Sequence, residues 1–395
     1  MNNNKSHSLI ICNGRVLMSD GSLRTTSVLI RDGRITAIGA EQSADTILDA
    51  AGNYVLPGLI DIHTHGIGED SAIGSLPHYA AREAVAGATT FFPTLFGPPA
   101  ETCAHLQRHL RETDNLRRVP QVGGFRLESP YLADASAGLP RDCAPITPKL
   151  TERLWQAGEG HIRIWDLSPE LPGAAEAIRQ LSRLGVVCSL AHTTATIEQA
   201  RAAVEAGARL VTHLFDVFPM PPMTELGVYP AGLTDYLLME DRVVCEIIPD
   251  GTHVPPLLVE KTFRCKPPDG LVFITDSNYG SGLPPGEYDL PQAWGRVKIT
   301  SPYDGIRLMD RAMELASSAL TPVDAFRSAV QRFGKDLATA SRVCSRNPAR
   351  LLGLNKGEIA VGRDGDLVIL DSALCVQTTI AGGVVIYRAG RDATI

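Results

Sequence analysis

The chain has 395 residues, 44% of them hydrophobic, which is enough for a large buried core and excludes intrinsic disorder. Lys plus Arg total 37 against 44 for Asp plus Glu, a formal net charge of −7 with no basic run, so nucleic acid is not an expected partner. No apolar run approaches the ~20 residues of a membrane span, the Asn-rich start Met1–Ser6 has no apolar signal core, and eight cysteines fall singly without a CxxC pair, so a reducing, cytoplasmic setting is expected.

The first 55 residues predict short strands at Ser8–Cys12, Arg15–Met18, Ser27–Ile30 and Arg34–Ile38. The hairpin signals Asn13-Gly14, Asp20-Gly21 and Asp32-Gly33 separate them. From Leu59 onward, strands alternate with helices. The strand-like runs are Leu59–Ile62, Thr89–Leu95, Val122–Leu127, Ile162–Leu167, Val186–Leu190, Leu210–Thr212, Val243–Ile248 and Leu271–Thr275. Helix patterns lie at His78–Ala86, Ala100–Thr113, Ala174–Arg183, Ile197–Ala206 and Pro255–Lys261. Thr196 is placed to cap the fourth of these and Gly207 to stop it. A Pro/Gly-rich loop then runs to about Pro302, before helical patterns at Gly305–Ala319, Pro322–Phe333 and Pro348–Leu352. Strands return at Gly357–Val361, Asp366–Leu370 and Val384–Tyr387. The pattern predicts an α/β chain: a (β/α)8 TIM-like barrel over 56–353, and a small β-sandwich built from 1–55 and 354–395.

Candidate chemistry gathers at the strand ends. His63 and His65 follow Leu59–Ile62, and alternation points both to one face at the strand's C-terminal end, where barrel active sites are built. One His-x-His pair is weak evidence. The pattern recurs, however, with Glu128 after the third strand, His192 after the fifth, His213 after the sixth and Asp276 after the eighth. Alone, Asp276 reads as a helix cap and Glu128 as a salt-bridge partner. Six metal-capable side chains in strand order read as a centre for a divalent cation. His253, after the seventh strand, could face that centre, while Asp250-Gly251 before it reads as a turn.

These residues resemble the amidohydrolase superfamily. The likeness rests on Val55-Leu56-Pro57-Gly58-Leu59-Ile60-Asp61-Ile62-His63-Thr64-His65-Gly66 and on the return segment Lys356–Val368. Within it the chain is similar to the N-acetylglucosamine-6-phosphate deacetylases, through Leu127-Glu128-Ser129-Pro130, Ala191-His192-Thr193, Thr212-His213-Leu214-Phe215, Asp250-Gly251-Thr252-His253 and Thr275-Asp276. The resemblance implies that His63, His65, Glu128 and Asp276 hold one ion. It implies that His192 and His213 hold a second, or complete a single site with Glu128. Zinc is the first expectation for the metal, with iron, manganese or cobalt as alternatives. Water activated at the metal would attack an amide carbonyl, Asp276 acting as general base and then as general acid toward the leaving amine. Relatives of this type also imply a homodimer.

Departures from the family pattern matter as much. Asp216-Val217 stands where the deacetylases carry Asn-Ala, and Thr224 where they carry a phosphate-binding Arg. The carbonyl-orienting His of the family is Pro140 here, whereas His253 is kept. A carboxylate at 216 repels a phosphate dianion, and Thr224 offers no compensating charge. The expected substrate is therefore an unphosphorylated small-molecule N-acyl amine, N-acetyl being the first expectation, with Asp216, Val217, Thr224 and His253 as candidate substrate contacts. Asp216 could also serve only as a cap. The alternatives are a true N-acetylglucosamine-6-phosphate deacetylase, a deaminase or cyclic-amide hydrolase, and a non-catalytic scaffold.

Overall fold

Eight parallel strands pair side by side in chain order: Leu59–Thr64, Ala88–Leu95, Phe125–Tyr131, Ile162–Leu167, Val187–Leu190, Leu210–Val211, Val244–Ile247 and Leu271–Phe273. A bridge between Thr64 and Ser277 brings the last strand back to the first, so the sheet closes into a barrel. This computed structural model describes residues 7–39, 43–134, 140–221, 223, 225–290 and 295–390. Among them, no helix is long and apolar enough to cross a membrane.

Each barrel strand is buried on both faces, which explains its near-continuous apolar reading. Inward-facing Ile60, Ile62, Phe92, Ile164, Leu210, Val272 and Ile274 form one cluster. The opposite faces join a larger core shared with the surrounding helices. Helix Ile197–Ala206 begins with the expected Thr196 cap, which also forms a reciprocal box with Gln199, and ends at Gly207 with φ 125°. Helices Pro148–Ala157 and Leu233–Met239 are not among the expected ones, although Thr147-Pro148 is a cap followed by an N1 proline. The third strand starts three residues later than expected, because Gly123-Gly124 turns the chain ahead of Phe125, Gly124 having φ 134°. It also runs on to Tyr131, four residues past the expected end, so Glu128 lies inside the strand.

One eight-stranded sheet combines both ends of the chain. The strand Tyr54–Pro57 pairs in parallel with Ser8–Leu17 and antiparallel with Leu367–Leu370, which continues to Val376–Ala381 and Val384–Arg388. Its core joins Leu9, Ile11, Val28, Ile30 and Val55 to Leu367, Ile369 and Ile380. Asp32-Gly33 makes a hairpin as expected. Asn13-Gly14 does not: Ser8–Leu17 is a single strand with a bulge there, Asn13 taking φ 54°. Gly357–Val361 is not a strand, and Val376–Ala381, unanticipated, is one.

Between the eighth barrel strand and the last helices, strands Gly286–Leu290, Gly295–Ile299, Ile306–Leu308 and Glu314–Ser317 form an antiparallel sheet. This corrects the helix expected over Gly305–Ala319 and the loop before it. Val297 and Ile299 pair with Leu308 and Ile306 and pack on one face, a period of two that the helical reading overlooked. Left-handed Ala312 and Met313, at φ 51° and 64°, would also break a helix.

Candidate metal centre

All six strand-end residues converge at the C-terminal mouth of the barrel. Glu128 sits at the middle with its two oxygens facing different histidine pairs. Oε2 lies 3.5 Å from His63 Nε2 and 3.0 Å from His65 Nε2. Oε1 lies 3.1 Å from His192 Nε2 and 3.4 Å from His213 Nε2. Asp276 Oδ1 closes the first lobe, 3.3 Å from His63 Nε2 and 3.4 Å from His65 Nε2.

Every one of these imidazoles is anchored from behind. Nδ1 of His65, His192 and His213 meets the backbone carbonyl of Thr94, Asp134 and Asp216, at 3.1, 3.1 and 3.2 Å. His63 Nδ1 meets the Glu246 carboxylate at 3.4 Å. Donation from Nδ1 selects the tautomer in which each ring, once neutral, turns its Nε2 lone pair inward. His63 Nε2 is buried and has no hydrogen-bond partner. An orphaned buried nitrogen among converging carboxylates fits a divalent cation, and the His/carboxylate donor set suits zinc, iron, manganese or cobalt.

Placing these groups strains the chain. Asp276, His192 and His213 adopt φ values of 48°, 44° and 27°, left-handed conformations that cost a non-glycine residue on the order of 1–3 kcal/mol. They persist because neighbours fix them. Asp276 N–H donates to His63 O at 2.9 Å, and Ser317 Oγ donates to Asp276 O at 2.7 Å. Asp61 accepts from Thr275 Oγ1 at 2.5 Å and from His63 N at 3.2 Å, tying the first strand to the last.

Electrostatics follow from this crowding. Burial alone would lower the histidines, but Glu128 and Asp276 outweigh it and raise His65 and His213 to about 10. Before a cation binds, these rings therefore hold protons across neutral pH. A cation needs the same Nε2 atoms, so its affinity should rise with pH and loading should release protons. Calorimetry of zinc binding in buffers of different ionisation enthalpy will measure that release; none at pH 7 would show rings already neutral.

The candidate substrate residues divide. Asp216 carries a carboxylate oxygen within 4.8 Å of ligand atoms on His213 and Asp276, so it faces the centre. Val217 lies beside it with a left-handed φ of 54°. His253 is almost fully buried, its Nδ1 2.5 Å from Asp250 Oδ2. Asp250 Oδ1 also accepts the backbone N–H of Thr252 and His253, so the expected turn doubles as the anchor of His253. Burial would lower the His253 pKa, but Asp250, with Asp216 and Asp276 nearby, raises it. Thr224 lies outside the described residues.

Beneath the centre lies a charged layer that the sequence reading missed. Arg126, Asp166 and Glu246 are all completely buried inside the barrel. Their signal was a charged residue within each of three otherwise apolar strand runs, Arg126 in Phe125–Leu127, Asp166 (beside Arg163) in Ile162–Leu167 and Glu246 in Val243–Ile248.

The amidohydrolase family model matches residues 54–386. The chain belongs to the amidohydrolase family. Its sequence is 31% identical over 386 residues to N-acetylglucosamine-6-phosphate deacetylase of Lysinibacillus sphaericus, covering 95% of this chain and 97% of that one. It is 32% identical over 376 residues to N-acetylgalactosamine-6-phosphate deacetylase of Escherichia coli O157:H7, covering 92% and 95%. The crystal structure of N-acetyl-D-glucosamine-6-phosphate deacetylase from Mycobacterium smegmatis superposes with a TM-score of 0.82 at 30% identity, covering 96% of this chain and all of that one. As an amidohydrolase with deacetylase relatives, the chain is a hydrolase of carbon–nitrogen amide bonds.

Proposed function

We propose that this amidohydrolase cleaves a linear N-acyl amide of an unphosphorylated small molecule, releasing a carboxylate and a free amine. The observation that carries the reading is Asp216, whose carboxylate looks into the centre beside His213 and Asp276. Its position matches the Asn of the phosphosugar deacetylases. A fixed negative charge there opposes a phosphate dianion and favours a hydroxyl or an amine.

In this reading His63, His65 and Asp276 hold one cation with Glu128 Oε2. His192 and His213 hold a second with Glu128 Oε1. The separate histidine pairs on the two carboxylate oxygens support two ions over one. Zinc remains the first expectation. A divalent cation bound there supplies an acidified water and polarises the acyl carbonyl. Asp276 takes the proton of the attacking water and returns it to the leaving amine. His253, held by Asp250, is the further candidate substrate contact.

The test is a comparison of kcat/KM for N-acetylglucosamine-6-phosphate, unphosphorylated N-acetylglucosamine and a panel of N-acetyl amines, with Asp216→Asn alongside. Wild type should prefer an unphosphorylated substrate. Asp216→Asn should move the preference toward the phosphorylated sugar by about tenfold or more, the weight of one screened charge contact. Efficient turnover of the phosphosugar alone, unchanged by Asp216→Asn, would establish instead the phosphosugar activity for which the relatives are named.

A further inference from the structure

We infer that Glu246, held by Arg126, is a positioning residue that makes the His63 half of the centre hold an ion of its own. The inference rests on the reading that His63, His65 and Asp276 form one lobe of a metal site.

The charged layer grips two histidines whose rings stack side by side, centroids 5.5 Å apart, His63 and His213. Glu246 Oε2 lies 3.4 Å from His63 Nδ1 and accepts the backbone N–H of His213 at 3.3 Å. Arg126 Nη1 donates to the carbonyl of Ile62, the residue before His63, at 3.1 Å. Arg126 Nη2 donates to Thr212 Oγ1, on the residue before His213, at 2.9 Å. Thr212 Oγ1 is in turn 2.6 Å from Ser189 Oγ. The layer thus crosses the barrel and fixes both the ring of His63 and the backbone beneath His213.

A pair built only for packing would need one carboxylate. Asp166 already fills that role, meeting Arg126 Nε and Nη2 at 3.0 Å each in a bidentate pair. Glu246 is a second carboxylate on the same guanidinium, with Nη1 at 2.5 Å from Oε1. The layer therefore holds two negative charges against one positive, away from water. Such a surplus is costly unless a further cation lies close. Oε2, the oxygen directed at His63, carries that surplus toward the imidazole whose other nitrogen is the orphan in the centre. A carboxylate behind a ligating imidazole raises its basicity and fixes its orientation. The other three histidines have only neutral carbonyls behind them, so this reinforcement is specific to His63.

The experiment loads full-length wild type, Glu246→Gln, Glu246→Asp and His63→Asn with zinc and titrates each with a chelator, reading bound metal by mass spectrometry and fold by thermal melting. Glu246→Gln removes the charge at constant shape. Glu246→Asp keeps the charge beside Arg126 but draws both oxygens back by one methylene, Oε2 away from His63 included, and so covers the case in which the Gln variant fails to fold. In both, one of two zinc ions should be lost at about 10- to 100-fold lower chelator concentration, while the other, whose His213 loses only a backbone hydrogen bond, shifts by less than that. Their profiles should approach that of His63→Asn. Profiles superimposable on wild type, or both ions released together, would overturn the inference. A wild type whose only zinc survives His63→Asn would overturn the two-lobe reading as well, and so separates the two failures.

Discussion

Asp276→Asn should lower kcat/KM for amide hydrolysis by about 10²- to 10⁴-fold, the range expected when a positioned general acid–base group is lost. The carboxylate lies against two imidazole Nε2 atoms at 3.3 and 3.4 Å, and its backbone is held in place from both sides. Burial alone would raise its pKa; His63, His65 and His213 reverse this and hold it well below the usual carboxylate range. It is therefore ionised at neutral pH, as a base must be. The asparagine side chain keeps the shape and one coordinating oxygen but cannot accept the proton. Steady-state kinetics with zinc content measured in parallel will separate the two contributions. A variant with full zinc and near-wild-type kcat/KM would remove Asp276 from the chemistry.

Arg126→Met should be the most destabilising single change in the barrel lumen, by about 3–5 kcal/mol. It leaves two buried carboxylates, Asp166 and Glu246, without the guanidinium that pairs them both. Six hydrogen bonds end on this guanidinium, linking the third strand to the first, fourth and seventh and to the Thr212 hydroxyl after the sixth. Equilibrium unfolding in urea will measure the loss. Combining the change with Asp166→Leu and Glu246→Leu should recover most of the stability, because apolar side chains of similar volume need no partner. A single variant within about 1 kcal/mol of wild type would mean that water or a shifted proton neutralises the layer.

Most of the barrel and all six converging side chains were legible in the sequence because each depends on local pattern. Strand runs bounded by Gly and polar residues fall where expected, and His63, His65, Glu128, His192, His213 and Asp276 all sit at strand ends or just inside one. What was illegible depended on partners distant in sequence. The Gly305–Ala319 segment scored as a helix since its apolar residues fit either period, and only pairing with Gly295–Ile299 selects the strand. The charge layer joins residues 40 and 120 positions from Arg126, and no local rule places Asp166 or Glu246 beside it. The Nδ1 anchors of three histidines are backbone carbonyls, which carry no side-chain signature at all.

The sheet that unites the two ends of the chain has a consequence for how the protein is made. Pro57 pairs with Leu367, and only Gly58 separates Pro57 from the strand that delivers His63. During synthesis, Tyr54–Pro57 must wait more than 300 residues for that partner, on the order of tens of seconds at ribosomal rates. The first barrel strand also meets the eighth only late, through Thr64 and Ser277. Such long-range closure makes folding slow and leaves an apolar edge open on the ribosome. The centre at the barrel mouth, whose side chains come from the first strand through the eighth, is complete only once Asp276 has been made.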